Sequence, residues 1–271
     1  MAKKSGVQTA DINAAVSVNL QKWNLWLAVL YLAQGIFLVL LSVTSTFPVQ
    51  TSYLTLNSIA SEVSGSSILG NGTRHLFDLN IVWVVALSFL VAAAVHGLAG
   101  TVYRKKYEAD LRKNANRLRW TSLALTSGLM MTAIIMLSGV AELSTLLLVF
   151  ALQVIASVLW FMMETHNQGK TRINWLAYRL GCVAAALPWV VVLLCVYGAA
   201  TFGTGGIPGF MYGVYATTFL LLGAMAVMAY LQHRKTGKWQ DHLFAERAFM
   251  IAEFCAISLF AWQIFLGALR P

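Results

Sequence analysis

Two ionisable side chains stand inside long apolar runs of this sequence, where such groups are rare. Glu253 is the only acidic or basic residue in roughly twenty residues after Arg247, and His96 interrupts another apolar run. Counted from the ends of the runs at ~1.5 Å per residue, Glu253, His96 and Tyr31 lie about 10–13 Å deep, and Ser122 lies slightly shallower. These four side chains are therefore expected to meet in one polar layer.

Such a layer permits two kinds of chemistry. A carboxyl group and an imidazole can share a proton or form an ion pair, and ionisable residues inside a membrane are usually partnered and often functional. The simpler alternative is a protonated Glu253 that only hydrogen-bonds to His96 or Tyr31. A metal site is not expected, because one histidine and one carboxylate are fewer than the three protein ligands that zinc requires.

Composition places these residues in a membrane protein. Of the 271 residues, 59% are hydrophobic and 11% are charged, and the mean hydropathy is +0.70, whereas soluble domains carry roughly twice that share of charged residues. The net charge of +9 does not indicate nucleic-acid binding, because the basic residues stand in short clusters between the apolar runs. Nucleophile elbows, phosphate loops and HExxH motifs are absent from the sequence, so an enzyme is not expected.

Seven apolar runs are long enough to cross a bilayer as α-helices. Their predicted limits are residues 23–46, 80–103, 117–137, 142–163, 175–200, 210–232 and 244–268. The connections, apart from the first, are too short to form domains of their own. The sequence therefore predicts a single all-α domain over residues 1–271, a seven-transmembrane helix bundle that passes repeatedly through the cell membrane.

The distribution of positive charge predicts the orientation of this bundle. All of the 19 Lys and Arg residues except Arg74 and Arg270 stand near the N-terminus or in and beside the second, fourth and sixth connections. Because basic loops mark the cytoplasmic face, the N-terminus is expected to be cytoplasmic and the C-terminus outside. The densest cluster, residues 104–119, either serves topology alone or also binds a cytoplasmic protein or anionic lipid.

The longest connection is the first, residues 47–79. Its TSYLTL segment alternates β-forming and polar residues before a tract rich in Ser and Gly. A short β-hairpin is therefore expected on the outer face. Glu142 and Glu164 stand at the two mouths of the fourth span, and both are expected to be solvated.

Several segments resemble one family of seven-helix proteins. They are LQKWNLWLAVLYLAQGIFLVLLS in the first span, LMMTAIIMLSGVAELSTLLLVFALQ in the third and fourth, PGFMYG at 208–213, LQHRKTGKWQD at 231–241, and ERAF with AEFCAISLFAWQIF in the last. Together they are similar to the heliorhodopsins, microbial retinal proteins with an inverted membrane orientation. The resemblance implies a β-containing first outer loop that contributes to a homodimer contact.

The same resemblance implies that the chromophore chemistry is missing. The retinal-binding lysine of the family corresponds to Ile257, and the counterion glutamate, two residues after an Arg-Trp pair, corresponds to Ser122. An isoleucine has no amine, so it cannot form a Schiff base. Two family histidines near the Schiff base correspond to Tyr31 and His96, and Glu253 stands where a small hydroxyl residue is usual.

These features imply a retinal-free, heliorhodopsin-like membrane protein with a sensory, signalling or scaffolding role. One alternative is a small-solute or proton channel or transporter that uses the layer of Glu253 and His96. Another is non-covalent binding of retinal, another polyene or a lipid in a vacated slot lined by Trp189 and Trp262, although aromatic residues more often serve packing. In the vestigial interpretation, the polar layer, Ile257 and Trp262 are remnants of a chromophore pocket.

The orientation can be tested with terminal tags. A tag after Pro271 should react with a membrane-impermeant reagent on intact cells, whereas a tag before Met1 should react only after permeabilisation, because positively charged segments stay on the cytoplasmic side. Reaction of both tags, or of neither, on intact cells would contradict seven spans in this orientation.

Overall fold

Seven long helices dominate the structure, a computed structural model that describes residues 14–170 and 172–271. Each is long and apolar enough to cross a membrane, which confirms the predicted fold class. With helices numbered in chain order, the spanning ones are α1 (Ala14–Leu41), α3 (Ile81–Gly100), α5 (Arg117–Leu137), α6 (Leu143–His166), α7 (Leu176–Phe202), α8 (Gly209–Arg234) and α9 (His242–Ile264). Lys3 and Lys4, which contribute to the charge distribution, lie outside the described residues.

The spanning helices run alternately between two ends of the bundle. We call one the basic end, since it carries the start of α1 and the connections that hold most of the Lys and Arg residues. The opposite end is called the hairpin end, because the long first connection covers it. A 3-10 turn, Gly237–Gln240, links α8 to α9 at the basic end, and a π-helical turn, Phe265–Leu269, extends α9 at the hairpin end.

Helix α1 differs most from its predicted span, 23–46, because contacts outside the apolar run decide its limits. At the basic end the Ser17 hydroxyl donates to Glu108, and the Arg104 guanidinium donates to the Gln21 side chain, both at 2.5 Å. At the other end the helix stops at Leu41, where the β-branched residues of VTST favour extended backbone. The last residues of the predicted span therefore lead into a strand.

The densest basic cluster contains a helix rather than only a loop. Residues Arg104–Arg112 form α4, whose Tyr107 and Leu111 side chains are buried against the bundle. The Arg104 Nε lies 3.0 Å from the Glu108 carboxylate one turn later, a spacing that supports an exposed helix. The four-residue spacing of Tyr107 and Leu111 is the sequence signal for this helix.

The first connection forms the predicted β-hairpin, which is longer than expected. Strand β1 (Thr46–Leu56) pairs with β2 (Leu69–Asn80) in antiparallel register, with an irregularity between Val49 and Gln50. A short helix, α2 (Ser58–Ser64), joins the two strands. The hairpin therefore covers the end of the bundle as an ordered two-stranded sheet.

One carboxylate attaches this hairpin to the helices. Glu142, just before α6, accepts hydrogen bonds from the Ser52 amide (3.1 Å) and the Ser52 hydroxyl (2.8 Å), and the Gln50 amide donates to the Ala141 carbonyl at 2.9 Å. The two bonds from Ser52 hold the pKa of Glu142 below its usual value, because they favour the ionised form. Glu142 is thus accessible to solvent, as predicted, but it is also partnered.

Helix α5 is the centre of the bundle. In its most apolar stretch, 72% of the residues are buried, against 22% in α7 and in α8. The side chains of α7 and α8 that point outward are mostly apolar, as expected for surfaces that face lipid. Polar side chains on α5 are consequently enclosed by neighbouring helices and must find their partners there.

The attachment of the hairpin can be tested at Glu142. Because its pKa is lowered in the folded state, its contribution is present above the ordinary carboxyl pKa and is lost as the pH falls through the folded value. Glu142→Gln should therefore speed amide hydrogen exchange at residues 50–52 at neutral pH. In the parent protein, exchange at these residues should become faster as acid protonates Glu142, and the variant should lack this acid-induced increase. Glu62→Gln, at an exposed position on α2, is the control, and equal exchange in both variants would contradict this assignment.

Candidate functional site

Three of the predicted layer residues come together at the centre of the bundle. The Ser122 hydroxyl on α5 donates to Glu253 Oε1 on α9 at 2.5 Å. The other carboxyl oxygen of Glu253, Oε2, lies 3.8 Å from His96 Nε2 on α3. All three side chains are buried, so this contact is shielded from bulk water and its electrostatic energy is little screened.

Asn24 on α1 fixes the orientation of the histidine. Its amide nitrogen donates to the Leu20 carbonyl at 2.9 Å, so its oxygen must be the atom that lies 2.8 Å from His96 Nδ1. An amide oxygen only accepts, and His96 Nδ1 therefore carries a proton. In neutral His96 the other ring nitrogen, Nε2, then carries a lone pair, and it faces Glu253.

The arrangement accounts for one proton between Glu253 and His96. With the proton on Glu253, a carboxylic acid faces a neutral nitrogen; with the proton on His96, a carboxylate faces an imidazolium. With no proton, a buried carboxylate would face a lone pair, an arrangement that low-dielectric surroundings penalise strongly. His96 Nε2 has no hydrogen-bond partner among the described residues, and its distance of 3.8 Å from Glu253 Oε2 is too long for a direct hydrogen bond, so a bridging water would carry the proton between the two atoms.

Tyr31 joins the layer by stacking rather than by hydrogen bonding. Its ring lies 5.6 Å from the His96 ring, with 19° between the planes, and it also contacts Phe89 and Phe254. The Tyr31 hydroxyl is buried and has no hydrogen-bond partner among the residues that the structure describes. The ring therefore covers the hairpin side of the layer.

Ile257 lies beside the layer, and Trp262 lies apart from it. Ile257 follows Glu253 by one helical turn and is only 1% exposed. Trp262 instead donates its indole N–H to Gln34 on α1 at 2.9 Å and packs edge-on against Phe265. The predicted set thus separates into a layer of Tyr31, His96, Ser122 and Glu253 with Ile257 adjacent, and a half-buried Trp262 nearer the hairpin end.

A second buried cluster lies one to two turns nearer the basic end. The Arg119 guanidinium on α5 forms ion pairs with Glu164 on α6 and with Glu246 on α9, the latter at 3.1 Å. It also lies over the rings of Trp120 and Phe249, 5.0 and 4.2 Å from their centroids. The expectation that Glu164 is solvated is wrong, because Arg119 reaches inward from α5 and pairs with it.

Polar side chains complete the shell around Arg119. Asn116 donates from its side chain to Glu246 at 2.6 Å and from its backbone to Glu164 at 3.1 Å. Tyr107 on α4 donates to Glu246 at 3.0 Å, and burial is the main reason that its pKa is well above the usual value. Gln232 of α8 lies 3.5 Å from both Arg119 and Glu164. We call this polar group the Arg119 cluster; its members are Arg119, Glu164, Glu246, Asn116, Tyr107 and Gln232.

The polar layer and the Arg119 cluster are connected. The Asn24 side chain, which holds His96, lines the same small cavity as Tyr107. This cavity, with about 10 Å³ of room for the centre of a water molecule, lies between the two groups, close to the minimum for one water. It is lined by polar side chains from both, including Asn24, His96, Arg119, Glu246 and Glu253.

A larger cavity lies on the other side of α5, between α5, α6, α7 and α8. It has about 130 Å³ of room for the centre of a water molecule, and its walls are mostly apolar. Trp189 lines it, whereas Trp262, expected beside Trp189 in one slot, does not. Trp160 also lines it, and its indole N–H has no acceptor among the described residues. Glu253 and Ile257 do not line this cavity.

Sequence reasoning did not single out several residues of these groups, among them Asn24, Glu246 and Tyr107. Asn24 is the single polar residue of WNLWLAVLYL, and a lone amide in an apolar run is the signal that could have placed it near the layer. Glu246 stands in the ERAF segment, seven residues and two turns before Glu253, so that both face the same neighbours. Tyr107 lies in a connection between spans, where its four-residue spacing from Leu111 indicates a helix but not a contact with Glu246.

Comparison with known families agrees with this architecture. The heliorhodopsin family model matches residues 20–269, a range that includes all of α3 to α9, nearly all of α1, the hairpin and both polar groups. The comparison with curated proteins gives no match. Because the family model covers most of the sequence, this chain belongs to the heliorhodopsin family.

Proposed function

We propose that this protein is a heliorhodopsin-family membrane protein that carries no covalent retinal and has a sensory, signalling or scaffolding role. The observation that supports the proposal is the fully buried Ile257, which stands where the family resemblance places the retinal-binding lysine. A Schiff base needs a primary amine next to the chromophore. The isoleucine side chain cannot supply one.

The other amines of the described chain are in the wrong place. Each of the lysines that the structure describes is exposed, and none lies deeper in a spanning helix than Lys22, in the third turn of α1. They are Lys22, Lys105, Lys106, Lys113, Lys170, Lys235 and Lys238. An exposed ammonium at the end of the bundle cannot replace an amine beside Glu253.

Ser122 supports the same interpretation, because the negatively charged counterion of a protonated Schiff base is also missing. A buried carboxylate is stable only with a cationic partner or a proton. At the position that the resemblance assigns to the counterion, Ser122 donates a hydrogen bond to Glu253. The acid of this site stands on α9 instead, and its basic partner is His96.

Two surfaces support a role in association. The hairpin exposes apolar side chains that include Leu54 and Leu69, each at least 60% exposed, which favours the homodimer that the family resemblance implies. At the basic end, Lys105 and Lys106 on α4 are exposed. A cytoplasmic protein or anionic lipid would find free positive charge there.

A second candidate function is non-covalent binding of a polyene or lipid. The cavity between α5 and α8 supports it, because it combines apolar walls with the unpaired indole N–H of Trp160. A ligand with a long apolar body and one hydrogen-bond acceptor fits this chemistry. Such binding would need no lysine.

The absence of covalent retinal can be tested by restoring the amine. The purified parent should develop no hydroxylamine-sensitive visible band with all-trans retinal, whereas Ile257→Lys should form a Schiff base that Glu253, one turn away, keeps protonated and visible. Ile257→Lys with Glu253→Gln should absorb in the near ultraviolet, because the buried cation would then lack its anion. Ile257→Met is the control of similar size.

The outcomes separate the two parts of this proposal. A hydroxylamine-sensitive visible band in the parent protein would disprove the retinal-free assignment. A monodisperse Ile257→Lys variant that binds no retinal would instead mean that side chains fill the space beside Ile257. That result would leave the assignment of the parent unchanged.

Ligand binding in the larger cavity can be tested with retinol, which has no aldehyde and cannot form a Schiff base. Retinol fluorescence should rise on binding to the parent protein and should rise much less with Gly223→Leu, because Gly223 lines the cavity. Gly198→Leu on α7 is the control, since a side chain there meets no neighbour within 4 Å. Equal binding by both variants would exclude this cavity as the retinol site.

A further inference from the structure

The geometry points to a proton site at Glu253 and His96 that exchanges with the basic end of the bundle alone. The inference goes beyond the absence of retinal, and it holds whether or not the larger cavity takes a ligand. It rests on the fixed orientation of His96, on the polar connection toward the basic end and on the apolar packing toward the hairpin end. The ligand of this site is the proton.

Exchange at this site changes the charge at the centre of the bundle. Transfer of the shared proton from Glu253 Oε2 to His96 Nε2 produces a carboxylate and an imidazolium. The net charge of these two residues, which we call the couple, then stays at zero. Uptake of a second proton from solution makes the couple positive, and loss of the shared proton makes it negative. Either exchange alters the electrostatic contact between α3 and α9.

A polar connection leads from this couple to the basic end. Asn24 holds His96 and lines one small cavity together with Tyr107, and Tyr107 donates to Glu246. The water-sized cavity lies beside the same groups and touches both Glu253 and Glu246. Glu246 and Glu253 are about 10 Å apart along the α9 axis, as their spacing of seven residues requires, so a water molecule in this cavity would connect them only together with the polar groups that also line it, such as Asn24 and Tyr107.

The opposite direction is closed by apolar packing. Tyr31, Phe89, Met130, Ile257 and Phe260 are at most 1% exposed and lie between the layer and the hairpin end. In the described spanning helices, the hairpin half beyond Glu253 contains no Asp, Glu, His, Lys or Arg. Beyond the hydroxyls of Thr126 and Tyr31, a proton on Glu253 therefore meets carboxylate, imidazole and guanidinium groups toward the basic end only.

The groups that set the charge state of the couple come from six helices. Glu253 faces hydroxyl groups of α5 directly, and the charged groups beyond His96 belong to the Arg119 cluster. The titratable and charged residues around the couple are Tyr31 of α1, His96 of α3, Tyr107 of α4, Arg119 of α5, Glu164 of α6 and Glu246 of α9. All except Tyr31 lie level with Glu253 or toward the basic end.

This asymmetry distinguishes a proton-responsive site from a transport path. Transport requires access to the site from both membrane faces in turn, whereas a site with access from one face reports the pH of that compartment. The couple joins α1, α3, α5 and α9 through Asn24, His96, Ser122 and Glu253. A change in its charge therefore acts on four helices at once.

The test measures which side of the membrane controls the couple. Vesicles with one protein orientation, identified by trypsin cleavage at the exposed lysines of the basic end, are exposed to pH steps on one side at a time. The pH-difference infrared signal of Glu253 is assigned by its loss in Glu253→Gln and its shift in Glu253→Asp. We expect the signal to follow the pH at the basic end and to ignore the pH at the hairpin end.

A matched pair of variants tests the route. Tyr107→Phe should slow the response to a pH jump by roughly 100-fold, the lower range for loss of a positioned proton-transfer group. Tyr215→Phe removes a hydroxyl of the hairpin half, which contacts Ser138 at 2.8 Å, and should leave the response unchanged. Equal slowing by both variants would overturn the assigned route.

Two further results would overturn the inference. A signal that follows the pH at the hairpin end, or at both ends, would show that the apolar packing does not isolate the couple. Proton flux across the vesicle membrane that Glu253→Gln abolishes would identify a channel or transporter instead. We expect vesicles with the parent protein and with Glu253→Gln to show the same flux.

Discussion

Arg119 carries a permanent positive charge inside the bundle, and four neighbouring helices contribute the carboxylates and polar groups that surround it. Removing an ion from water costs several kcal/mol, and breaking a buried pair by removal of one partner costs about 3–5 kcal/mol. Glu164 of α6 and Glu246 of α9 supply the negative charge, while Tyr107 of α4 and Gln232 of α8 supply hydrogen bonds. The positions of α4, α6, α8 and α9 around α5 are therefore coupled through one guanidinium.

The same requirement explains the polar layer one to two turns deeper. On the proposed assignment, a cation at position 257 and an anion at position 122 are both missing, and removing only one of them would leave an uncompensated buried charge. An ionised Glu253 without a partner would again be an uncompensated buried charge. His96 resolves it, because its Nδ1 is occupied by Asn24 and its Nε2 is directed at the carboxyl group. An acid and a base that share one proton are neutral together, and no chromophore is needed to balance them.

Much of this arrangement could be predicted from the sequence, because hydrophobic length and helical rise decide it. The span of α5 was predicted at both ends, and counting 1.5 Å per residue placed Ser122, His96 and Glu253 in one layer. Glu164 was misjudged, because its depth in α6 says nothing about a cation that reaches it from α5. Tyr107 and the early start of α1 depend on contacts between segments far apart in sequence, which no periodicity reveals. Trp262 was expected in the chromophore pocket, but its position on α9 does not determine which neighbour its ring faces, and it instead donates to Gln34 on α1.

The bundle is stabilised differently in its two halves. In the hairpin half, hydroxyls such as those of Ser88 and Thr132 donate to the carbonyl one turn earlier, and the contacts between helices are mostly apolar packing. In the basic half, ion pairs and hydrogen bonds between helices replace much of that packing. Packing of apolar side chains does not respond to protons, whereas contacts between carboxylates, an imidazole and a guanidinium do. Any conformational response to proton exchange must therefore begin in the basic half, and the apolar half provides the fixed support against which α3 and α9 can shift.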